Sequence, residues 1–234
     1  MREKISVAMA SFNGEKYIST QIKTILENLT ENDELVISDD GSTDGTRRII
    51  EEFNDSRIRL LEGPKQGVKK NFENAIRNCS GKYIFLSDQD DVWMGNKVDL
   101  MLSTFKEKRC LVMVHNCSLI NEDGGQILPD FFKYRHSGTG RIKNVMKNTY
   151  VGCCMAFDAS IKDRILPIPE DIEMHDQWIG LLGEEKGRGY FLNEKLILWR
   201  RHEGTASDCF HHYSLKKMFE NRKNLLKALR LRKV

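Results

Sequence analysis

What most constrains the fold of this 234-residue chain is an alternation that starts a few residues from its beginning. Four short runs, KISVAMA (4–10), ELVISD (34–39), RIRLLEG (57–63) and KYIFLSD (82–88), are β-branched or aromatic and of strand length. Between them, segments 14–29, 43–53 and 67–79 carry helical patterns, with Ile18, Ile22, Ile25, Leu26 and Leu29 along one side of the first. This β-α-β-α order predicts an α/β chain built on a mostly parallel, twisted sheet with helices on both faces. Ligands of such sheets bind at the carboxyl ends of the strands.

The polar clusters fall at those ends. The first strand runs into Ser11-Phe12-Asn13-Gly14, the second into Asp39-Asp40-Gly41-Ser42, and the fourth into Ser87-Asp88-Gln89-Asp90-Asp91. Crowding Asp88, Asp90 and Asp91 behind an apolar run costs free energy unless a cation or a reacting group uses them. The second half is less regular. It reads as strands over 110–120 and 150–158, a helix from about Met174 to Glu185, and two further strands, GYFLN and KLILWRRH.

With 40% hydrophobic residues the chain can bury a proper core, in one domain or one domain with an appendage. Six cysteines show no CxxC pair and no framework spacing, which predicts reduced, mostly buried thiols and neither a zinc site nor a disulfide scaffold. The N-terminal apolar stretch ends at Ala10, too short for a signal peptide or a membrane span, so a cytoplasmic protein is expected. Net charge is +3, but residues 214–234 hold eight Lys or Arg and one acid, so the tail carries +7 and the rest −4 by subtraction. Leu215, Met218, Phe219, Leu225, Leu226 and Leu229 recur there at helical spacing. That pattern is a basic amphipathic helix, either docked on the body or lying on an anionic membrane surface.

The Ser-aromatic-Asn turn after strand one, VISDDGSTDGT, GKYIFLSDQDD and the later HDQW helix together resemble the family 2 glycosyltransferases of the GT-A fold, over about residues 4–205. The chain looks most like small bacterial, rhamnosyltransferase-like enzymes of surface polysaccharide synthesis. The resemblance implies a GT-A domain over 1–210, with a nucleotide half (about 1–92) and an acceptor half (about 93–210), followed by the helix of 211–234. It implies a UDP- or dTDP-sugar donor, a saccharide or lipid-linked acceptor, and Mn²⁺ or Mg²⁺. Ser11, Asn13, Asp39 and Asp40 fall on the donor side, with Asp39 accepting from the pyrimidine imide nitrogen. Asp90 matches the metal-contacting aspartate, and Asp88 contacts the ribose or the metal's water shell. Asp91 is a helper or the N-cap of the helix that follows. Asp176 matches the catalytic base of an inverting transfer, with His175 where the family more often has Glu. His202 stands at a metal or diphosphate contact, and Arg200 or Arg201 is available for phosphate charge.

Independently of resemblance, hard divalent ions take carboxylate oxygens together with substrate phosphates, which suits the Asp88–Asp91 loop. An EF-hand over Asp40–Glu51 is rejected because a strand, not a helix, precedes it. Two rivals remain. A sugar-phosphate nucleotidyltransferase needs a Gly-rich basic loop after strand one, which MASFNGEKY lacks; a noncatalytic sugar-nucleotide binder would tolerate loss of Asp176, which is present. Nucleic acid is not an expected partner, since Phe219 alone is a poor stacking platform. No Gln-x-x-Arg-Trp motif appears, which favours addition of a single sugar.

Overall fold

In a computed structural model describing residues 2–203 and 214–232, the alternation folds as β1 (Ile5–Ser11), α1 (Ile18–Leu26), β2 (Glu34–Asp39), α2 (Thr46–Glu52), β3 (Ile58–Glu62), α3 (Val68–Asn78) and β4 (Tyr83–Ser87). β1 pairs in parallel with β2 on one side and β4 on the other, and β2 pairs in parallel with β3. Every residue of β1 and β2 is buried, so both faces of this half-sheet are covered, as uninterrupted apolar strands require.

The second half supplies β5 (Val92–Trp93), α4 (Lys97–Lys108), β6 (Val112–Ile120), β7 (Gln126–Leu128), α5 (Phe131–Arg135), α6 (Arg141–Met146), β8 (Met155–Asp158), α7 (Lys162–Ile165), α8 (His175–Gly183), β9 (Gly189–Arg200) and α9 (Leu215–Leu231). The sheet runs β3-β2-β1-β4-β8-β6-β9-β5, with β7 on β6. Parallel pairing dominates the first half, whereas β8 is antiparallel to both β4 and β6. β7 is antiparallel to β6 because the short NEDGG turn between them is a hairpin connection.

Three local expectations are corrected. Residues 150–158 are not one strand: Cys154 N–H donates to the Val151 carbonyl, closing a 3₁₀ turn over Gly152–Cys154 before β8 starts. GYFLN and KLILWRRH are one strand, β9, ending at Arg200. Its pairing with β6 jumps from Leu192 opposite His115 to Lys195 opposite Asn116, so Asn193 and Glu194 form a bulge instead of a turn. Asp91 is no helix cap, because β5 intervenes and α4 begins after Asn96.

Cys79, Cys110, Cys117, Cys153 and Cys154 are free and buried; Cys209, and residues 211–213 and 233–234 of the tail, lie outside the described residues. Among the described residues no helix is long and apolar enough to cross a membrane. The tail helix docks: Leu225, Ala228 and Leu229 are buried, and the Arg232 guanidinium donates to the Leu166 and Pro167 carbonyls.

Candidate active site

The ends of β1, β2 and β4, the start of α8 and the inner side of α9 enclose one cleft of about 1280 Å³. Ser11, Asp40, Asp88, Asp90, Asp176 and Arg201 all line it. Asp39 sits beneath, fully buried. Its carboxylate accepts from the Ser11 hydroxyl (2.9 Å), the Ser42 hydroxyl (2.6 Å) and the Ser42 N–H (3.0 Å), with Arg47 at 3.4 Å. Asp39 therefore knits the first two loops together. Asn13 does the same from the exposed side, its side-chain oxygen accepting from Thr43 N–H at 2.9 Å. Asp40 accepts from the N–H groups of Lys65 (2.7 Å) and Gly67 (2.8 Å), which fixes the loop after β3 against the cleft.

Gln89, the residue between the first two aspartates, holds this loop to β1. Its side-chain oxygen accepts from Phe12 N–H (2.8 Å) and its amide donates to the Phe12 carbonyl (2.9 Å). The amide lies where a side chain on residue 14 would be, 2.3 Å from the position of a Cβ there, so any larger residue at Gly14 would have to displace Gln89 from its bonds to Phe12. On the inner side, Gln21 donates to the Ser87 hydroxyl and the Asp88 carbonyl.

The acidic loop then divides. Asp90 Oδ2 is 2.8 Å from His202 Nε2, and the His202 ring packs on Tyr17 with centroids 4.9 Å apart. Arg200 donates from Nε to the Asp90 carbonyl and from its backbone N–H to Asp91 Oδ1, both at 2.9 Å. Arg200 is thus committed to the loop's shape; both it and Arg201 line the cleft, the Arg201 guanidinium lying 5.0 Å from the Trp199 ring centroid. Ligand atoms of Asp88, Asp91 and Cys153 lie within 4.8 Å of one another. Asp91 Oδ2 is buried with no hydrogen-bond partner among the described residues. Burial, then the charges of Asp90 and Asp176, push the Asp88 carboxyl up to about 7; burial, then the charges of Asp90 and Asp88, push Asp91 up as well. A bound divalent cation relieves both an orphaned carboxylate oxygen and mutual repulsion, so the oxygen donors fit one. Burial holds the Cys153 thiol well above its ordinary range, leaving it a neutral neighbour.

Asp176 stands in the first turn of α8, its Oδ1 accepting from Asn148 Nδ2 (3.2 Å) and from the Gln177 N–H (2.5 Å). Burial raises its carboxyl to about 6 against the pull of those bonds. His175 is buried and stacks on Phe72 with centroids 4.1 Å apart. Burial lowers it to about 3, so its ring is neutral. Trp178 is core, with Nε1 donating to the Ile165 carbonyl.

Sequence reading missed Asn148, the Asp91–Cys153 proximity, and the cleft wall that α9 supplies through Met218, Asn221 and Arg222. Gln89 was legible in principle, since it stands inside the acidic motif. Lys97 had no signal at all. It is fully buried, donates to the Cys153 carbonyl at 3.1 Å and lies 3.8 Å from the Trp93 ring centroid. Burial lowers it to about 8.

A sheet whose carboxyl-end loops gather acidic groups, a histidine and arginines around one large cleft has the architecture of a GT-A transferase. Residues 6–166 match glycosyl transferase family 2, and the chain belongs to that family. It is 32% identical over 153 residues to the UDP-Glc:alpha-D-GlcNAc-diphosphoundecaprenol beta-1,3-glucosyltransferase WfgD of Escherichia coli, covering 64% of this chain and 57% of that protein. It is 29% identical over 215 residues to the dTDP-rhamnosyl transferase RfbG of Shigella flexneri, covering 84% and 72%. In fold it is similar to residues 1–349 of S. aureus TarS in complex with UDP-GlcNAc, with a TM-score of 0.77 at 18% identity over 97% of this chain and 66% of that one.

Proposed function

We propose that the chain transfers a single sugar, with inversion, from a UDP- or dTDP-sugar to a saccharide or lipid-linked acceptor during bacterial surface polysaccharide synthesis, on the cytoplasmic side. The observation that carries this reading is the sharing of one cleft by Asp176 and the Asp88–Asp91 loop. The WfgD and RfbG likenesses support the donor classes, and the diphosphoundecaprenol in WfgD's name supports a lipid-linked acceptor.

The nucleotide half, about 1–92, offers Ser11, Asp40 and the Asp39-braced turn to the nucleoside. Asp88, Asp90 and Asp91, with His202 on Asp90, would hold Mn²⁺ or Mg²⁺. When bound, such an ion supplies positive charge to the donor diphosphate. Arg201 adds a fixed positive charge at the same wall. Asp176, ionised above about pH 6, takes the proton of the acceptor hydroxyl as that oxygen bonds to the sugar's anomeric carbon and the bond to the diphosphate breaks.

Purified protein with Mn²⁺, screened against UDP- and dTDP-sugars for hydrolysis and thermal shift, should yield at least one donor. Asp90→Ala should abolish turnover while leaving the fold intact. Full turnover in excess EDTA would overturn the metal requirement, and no donor binding from either nucleotide class would overturn the reading.

A further inference from the structure

Helix α9 has two faces with different fates. Leu225, Ala228 and Leu229 pack inward, whereas Phe219 is 71% exposed and Leu226 44%. Phe219, Lys223, Leu226 and Arg230 follow one another at i, i+4, i+7 and i+11, which places them on one side of the helix, all exposed. Lys216, Lys217 and Lys227 are exposed alongside, and Glu220 is the helix's one acid.

A second surface of the same character lies beside it. Residues 131–149 contain five Lys or Arg and no acid. Within this segment α6 exposes Ile142 (85%) and Met146 (55%) next to Lys143 and Lys147. The Arg222 guanidinium donates to the Met146 carbonyl at 2.6 Å, which sets α6 against the N-terminal half of α9. Met146 and Met218 also line the cleft, so the joint surface borders its mouth.

We propose that the adjoining outer faces of α6 and α9 dock the protein on an anionic phospholipid bilayer. Ile142, Phe219 and Leu226 enter the headgroup region, and the lysines lie against the lipid phosphates. Interleaved apolar and basic side chains on a helix face are the pattern that an anionic interface rewards twice, by burial and by charge. A second copy of the chain is a poor occupant, because a self-complementary contact would bring like charge onto like charge. The inference rests on the lipid-linked acceptor proposed above, and it orients the cleft mouth toward the surface that holds such a lipid.

The test is co-sedimentation of the full chain with phosphatidylcholine vesicles with and without phosphatidylglycerol. Binding should require phosphatidylglycerol and weaken with salt. Lys143→Glu with Lys223→Glu should weaken it about tenfold or more, and Ile142→Ser with Phe219→Ser about tenfold. None of these four side chains lines the cleft, so UDP binding, donor hydrolysis and the melting temperature should hold in both variants. Failure of the parent protein to bind phosphatidylglycerol vesicles overturns the proposal. So does binding indifferent to either double variant, or equal binding to a nucleic acid that ignores Ile142 and Phe219. A protein that binds vesicles but turns over no donor would sink the catalytic reading and leave the docking face standing.

Discussion

Asp176 is the proposed base, and its environment makes the prediction specific. Burial lifts its carboxyl to about 6 while the Asn148 amide and the Gln177 N–H pull it down. A base works ionised, so turnover should rise with pH through about 6 and level off above. Asp176→Asn should lower kcat about 100-fold or more with UDP affinity nearly unchanged, because only the proton acceptor is lost. Equal loss of UDP affinity, measured by calorimetry, would make Asp176 a donor-site residue. Asn148→Ala removes a bond that favours the carboxylate, so the rising limb should move to higher pH. An unmoved limb would mean that the titrating group is not Asp176. The two residues also show what a sequence can disclose. Asp176 stands in a recognisable HDQW stretch, whereas Asn148 lies 28 positions away and acquires its meaning only when α8 and the segment after α6 meet.

At the level of elements, one carboxylate ties the amino ends of four strands together. Glu34 at the start of β2 accepts from the Ser6 hydroxyl on β1, from Ser80 just before β4, and from Arg59 on β3. Burial opposes the charge, but these bonds outweigh it and hold the carboxyl at about 2, below its ordinary 4.5. A carboxyl depressed on folding stabilises above its unfolded value, and that stability drains away as pH falls from about 4.5 toward 2. Glu34→Gln should therefore lower the melting temperature at pH 7 and flatten its decline on acidification; an unchanged slope would refute this. Helix α8 depends on contact of another kind. A Cβ on Gly180 would lie 2.4 Å from the buried Tyr150 ring, so Gly180→Ala should cost about 1–3 kcal/mol of stability and, by displacing the helix that carries Asp176, lower kcat. The parallel strands β1 to β4 were legible because each is an uninterrupted apolar run closed by polar residues. β9 was not, because its bulge at Asn193-Glu194 looks like a turn until β6 is beside it.

The whole molecule is closed by its last helix. The apolar stripe of α9 was plain in the sequence, but helical periodicity reveals a face and not what covers it. The structure docks Leu225 and Leu229 on the body, sets the Arg232 guanidinium 5.9 Å from the Trp178 ring centroid, and builds Met218, Asn221 and Arg222 into the cleft wall. Burial of the two leucines alone contributes about 3–6 kcal/mol before entropic costs. α9 reaches the proposed acceptor side through α6 and α8, whereas the proposed nucleotide loops at the ends of β1, β2 and β4 are held by Asp39, Asp40 and Gln89 without it. Deleting residues 214–234 should therefore lower the melting temperature by several degrees and raise the acceptor KM, while UDP affinity changes little. Thermal denaturation, calorimetry with UDP and transfer assays on the truncated chain separate these effects. If truncation leaves stability and acceptor KM untouched, α9 is not a wall of the site; if it abolishes UDP affinity in a folded protein, the nucleotide loops depend on the helix and the division between the two halves of the cleft is wrong.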